Sequence, residues 1–81
     1  MQRDRNKAIK EENRKIKRLR VIVDLSMNVI AQGDMPVEDA SHMVGNVRKM
    51  ALDLFPGKGD VFDLIYKPRF QRLIRETYGL H

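Results

Sequence analysis

The 81-residue sequence has no cysteine and no tryptophan. Without thiols it can form no disulfide, no zinc–thiolate cluster and no cysteine nucleophile. Zero cysteine fits a reducing compartment. Long apolar runs are also missing. Val21-Ile22-Val23, broken by Asp24, is too short for a membrane span of about 20 residues or a signal-peptide core of about 7–15. These absences predict a soluble, cytoplasmic protein without a membrane partner. Strand signals are absent as well, since no segment alternates with period two.

Chemistry-bearing constellations are equally scarce. His42 with Asp39 offers two ligands, where a metal site needs three or four. Ser26 and Ser41 have no histidine at a suggestive spacing. Gly57-Lys58-Gly59 precedes a helix but lacks the phosphate-loop spacing, and Asp60 follows it directly. The sequence therefore predicts no enzyme, no metal and no cofactor.

What is present is a charge asymmetry. Residues 1–20 carry nine basic and three acidic side chains, and residues 21–81 carry seven and eight. A basic extension, residues 1–18, thus joins a near-neutral domain, residues 19–81. Any polyanionic partner would meet the extension. The apolar residues needed for a core lie almost entirely in the domain. A core of this size rarely supplies more than about 3–5 kcal/mol, and no disulfide supplements it. Self-association as a dimer is the expected remedy.

The fold class is all-α: one long N-terminal helix, one medium helix and a Pro-kinked C-terminal helical pair. Asp4 to Gln32 contain no proline or glycine and read as one helix about 43 Å long. Gly33 is its expected C-cap and Asp34-Met35 the turn. Pro36 fits the first position of a second helix over 36–54, with Glu38 and Asp39 in its first turn. Val37, Ala40, Val44, Val47, Ala51 and Leu54 recur there at 3-4-3-4-3 spacing, a seam for self-association or the core. After Phe55-Pro56-Gly57, Asp60 and Asp63 suit capping of a short helix over Val61–Tyr66. A last helix over Arg69–Tyr78 places Phe70, Leu73, Ile74 and Tyr78 on one face, with Gly79 as its C-cap. Met27, Met35, Met43 and Met50 lie in or beside apolar stripes and read as core filling.

On a helical wheel Arg3, Lys7, Lys10, Arg14 and Lys17 fall within a sector of about 80°. Arg18, Lys15 and Arg20 widen it, while Ile9, Ile16, Leu19 and Val23 lie roughly opposite. The candidate polyanion-binding set is Arg3, Lys7, Lys10, Arg14, Lys17 and Arg18. One reading is plain solvation, with Glu11 paired to Lys15 at i, i+4. A second is nucleic-acid binding through successive phosphates. Its layout, a basic region running into a hydrophobic seam, is similar to that of zipper-type DNA readers, without their long leucine heptad. A third is an acidic protein partner. Arg69, Gln71, Arg72 and Arg75 form a smaller basic patch on the last helix, which would suit a helix-turn-helix only if the connection were longer than Lys67-Pro68. The expectation carried forward is a non-enzymatic, self-associating binding module that presents its basic helix to nucleic acid. The alternative is a protein–protein adaptor with no nucleic-acid role.

Overall fold

The structure is a computed structural model that describes residues 2–79, with side chains from Arg5 onward. It is all-α: α1 spans Gln2–Ala31, α2 Val37–Leu54, α3 Gly59–Ile65 and α4 Lys67–Tyr78. The described residues contain no strand. Overall dimensions are 53 × 22 × 15 Å. The long dimension belongs to α1, whose 30 residues make a rod of about 45 Å.

The core gathers where α2 and α4 pack on the second half of α1, with α3 closing against α2 and α4. Leu19, Val23 and Ile30 enter it from α1, Ala40, Val47 and Ala51 from α2, Phe62 from α3, and Phe70 and Ile74 from α4. Phe70, Ile30 and Val23 are the largest side chains fully withdrawn from solvent. Among the described residues no polar or charged side chain is buried, so no desolvated group there needs a partner. The 3-4 seam of α2 lies inside this core. Its Val37, Val44 and Leu54 are partly buried against the three fully buried members. Met27, Met35 and Met43 pack there too, whereas Met50 is 49% exposed at the edge of the core, beside Leu25 and Val29 of α1.

Helix ends follow local chemistry with four departures. Gly33, at φ 67°, ends α1, and Gly79, at φ 66°, ends α4. Pro36 sits one residue outside α2, as its N-cap with an extended ψ of 149°. Its carbonyl accepts from the Asp39 and Ala40 N–H groups, and its missing N–H costs nothing there. The third helix begins at Gly59 rather than Val61, without a side-chain cap. Asp63 is not a capping residue: it accepts the Arg48 guanidinium from α2 at 2.8 and 3.1 Å. A bidentate fork with a cation adds charge pairing to two hydrogen bonds, which capping of neutral N–H groups does not supply. The fourth helix starts at Lys67, with Pro68 inside its first turn, where no N–H is required. Tyr66 alone separates α3 from α4, and its carbonyl accepts from the Phe70 N–H.

Candidate polyanion-binding arm and apolar groove

Leu19 is the first buried residue of α1 among the described side chains, and every one from Arg5 to Arg18 is exposed. The first half of α1 is therefore an arm that leaves the body. It continues the helix that the core clamps at Leu19, Val23 and Ile30, so its orientation is inherited from the body. Lys7, Lys10, Arg14, Lys17 and Arg18 all stand in solvent on it. The side chain of Arg3 lies outside the described residues.

Salt bridges among the described residues join Arg48 to Asp63 and Arg72 to Glu76. None engages the arm, and Glu11 and Lys15 do not pair. An exposed i, i+4 pair gains a few tenths of a kcal/mol, which side-chain entropy readily offsets. The basic stripe from Lys7 to Lys17 rises about 15 Å along the axis. Lys10, Arg14, Lys17 and Arg20 also line a shallow depression together with Asn13 and Ile16.

Away from the arm, one ion pair ties two helices together. The Arg48 guanidinium holds the Asp63 carboxyl below the usual carboxylate range through a direct hydrogen bond. The same bond raises Arg48 above its ordinary value. Gly59 makes room for this fork, since a Cβ there would come within 2.7 Å of an Arg48 nitrogen. Asp39 and His42 are exposed on α2, and no group of three metal-ligating side chains exists among the described residues. Arg69, Gln71, Arg72 and Arg75 are exposed on α4, with Arg72 tied to Glu76 at 3.0 Å. The single-residue α3–α4 joint is shorter than a helix-turn-helix connection.

One feature of the surface has no signal in the sequence. α1 and α3 do not approach closely, and an apolar groove of about 340 Å³ opens between them. Ile16 and Leu19 of α1 and Val61, Phe62 and Ile65 of α3 line it, together with Ala51, Phe55 and Tyr66. Lys58 is the one charged residue in the lining. These residues come from three helices and a loop, so no local spacing announces them.

No family model, curated protein or solved structure matches the chain. No helix among the described residues is long and apolar enough to cross a membrane.

Proposed function

We propose that this chain is a non-enzymatic, self-associating helical binding module whose basic N-terminal helix binds nucleic acid. The supporting observation is the arm itself. Lys7, Lys10, Arg14, Lys17 and Arg18 are exposed, and no salt bridge among the described residues involves them, on a helix that projects from the body. Cations in this arrangement release phosphate counterions on binding and read no base edges, so affinity depends on salt and little on sequence. The partner class is DNA or RNA, and the location in this reading is cytoplasmic.

Self-association in this reading uses Val21, Leu25 and Val29 of α1 with Met50 of α2, which are 56, 60, 39 and 49% exposed. The α2 seam is occupied by the chain's own core, and Val47 is only 2% exposed. A charge at Val47 would therefore test folding, whereas Leu25→Glu with Met50→Glu tests association. Light scattering is expected to give twice the 9.5 kDa chain mass for the parent and the chain mass for that variant.

Fluorescence anisotropy with duplex DNA and with RNA across a salt series tests the binding. Absence of binding at low salt refutes it, as does binding unchanged by Arg14→Glu with Lys17→Glu. The second reading, a protein–protein adaptor with no nucleic-acid role, is favoured by the apolar groove.

A further inference from the structure

The arm carries a second face. Ile9, Ile16, Leu19, Val23 and Ile30 share one side of α1 at spacings of 7, 3, 4 and 7. Written as heptads, Ile9, Ile16, Val23 and Ile30 take the a positions, and Arg5, Glu12, Leu19 and Ser26 the d positions. The body buries this seam at Leu19, Val23 and Ile30. Beyond Leu19 it runs on uncovered, with Ile16 38% and Ile9 51% exposed. Ile16 also lines the groove against α3, so the seam and the groove are one continuous apolar surface. On the far side, Val61 and Ile65 are 45 and 48% exposed.

Charge decides what fits there. The e positions flanking the seam are Asn6, Asn13 and Arg20, and the g positions are Ala8 and Lys15. A parallel pair of these arms would set Lys15 of one against Arg20 of the other, like charges facing across the seam. An antiparallel pair would match e with e and g with g, where neither row holds an acid. Two copies of the arm thus gain no ion pair at the flanks. A helix with acidic flanks would meet Lys15 and Arg20 along the seam and Lys58 at the groove. Arg5 and Glu12 form polar layers within the seam, which set register rather than strength.

We propose that the Ile9–Ile16 seam and the groove it enters are a docking site for an acidic amphipathic helix of a protein partner. The helix would place apolar side chains at its own a and d positions and carboxylates beside them. This site lies opposite the Lys7/Lys10/Arg14/Lys17 stripe and goes beyond the nucleic-acid reading.

The test uses the full chain and a labelled synthetic peptide of three heptads, with Leu at a and d and Glu at e and g. A twin peptide carries Lys at e and g. Like charges keep each peptide from pairing with itself. Saturable binding of the Glu peptide is expected, at least tenfold tighter than that of the Lys twin. Ile9→Ser with Ile16→Ser should weaken it at least tenfold, and Ile65→Ser severalfold. These side chains are exposed, so helicity and thermal midpoint should hold. Duplex binding by the Ile9/Ile16 variant should also persist, which separates this site from the outer stripe. No saturable binding of the Glu peptide overturns the proposal, as does equal binding of the twin. So does a peptide affinity that falls on reversing Lys10, Arg14 and Lys17 but ignores Ile9 and Ile16. If the Ile9/Ile16 variant turns a dimer into a monomer, a second copy fills the seam and the proposal fails.

Discussion

The Tyr78 hydroxyl donates a 2.6 Å hydrogen bond to the Met35 carbonyl, 43 residues away in the chain. It ties the last turn of α4 to the turn between α1 and α2. Thr77 leaves little room beside this turn, since its Cγ2 lies 3.3 Å from where a Cβ on Gly33 would stand. The ends of α1, α2 and α4 are joined at this corner.

Tyr78→Phe removes the hydroxyl and keeps the ring. The expected loss is about 0.5–1.5 kcal/mol. For a domain of this size each kcal/mol lowers the thermal midpoint by about 4–8 °C. Thermal circular dichroism reads this, and an unchanged midpoint would show that water replaces the bond.

Two glycines should respond to alanine with opposite signs. Gly33 has φ 67°, and a side chain there costs about 1–2 kcal/mol before any crowding of Thr77. Gly45 lies inside α2 with nothing within 4 Å of an added Cβ. Gly45→Ala is expected to stabilise by about 0.5–1 kcal/mol. Chemical denaturation of both variants checks the pair.

Phe70 is completely buried where α4 meets the rest of the core. Phe70→Ala is expected to cost about 3–5 kcal/mol, comparable to the whole stability of a small unsupplemented core, so the variant should be largely unfolded. Leu64 is 78% exposed, and Leu64→Ser should stay within about 0.5 kcal/mol of the parent. Proton NMR dispersion distinguishes the two outcomes.

The Arg48–Asp63 fork makes a pH-dependent contribution with a defined sign. The Asp63 carboxyl is held below its unfolded value in the folded chain, so the carboxylate stabilises the fold above that unfolded value. The stabilisation falls away as pH drops through the lowered, folded value. Arg48 stays charged throughout. The midpoint of the parent should exceed that of Asp63→Asn at neutral pH, and the gap should close on acidification through the carboxylate range. A gap that persists below it would mean that packing, not charge, distinguishes the two.

Neutralising five phosphates with Lys7, Lys10, Arg14, Lys17 and Arg18 predicts a slope of log K against log salt of about −4.5 on duplex DNA. Removing Arg14 and Lys17 should flatten that slope by about 2. Changing Arg69 and Arg75 on α4 should leave it unaltered if the arm is the binding surface.

Much of the secondary structure was legible before any coordinates. Gly33 and Gly79 take the left-handed conformation that ends a helix, and neighbouring residues dictate that need. The α2 spacing marks Ala40, Val47 and Ala51 as one face, because helical periodicity is a local property. The stripe on α1 follows from the same arithmetic. Less legible were the start of α3 and the role of Asp63. Aspartate near a helix start reads as a cap, and nothing local reveals an arginine 15 residues earlier that reaches it across a glycine.

Sequence alone determined the all-α class, the approximate helices and the concentration of positive charge on one side of α1. These depend on backbone propensity, periodicity and composition, all short-range. Tertiary structure decided that the α2 seam is spent inside the chain, that burial of α1 begins at Leu19, and that Ile16 faces an open groove against α3. Those outcomes depend on which helices meet and where one outruns the others, and that is a matter of long-range packing that no local spacing encodes.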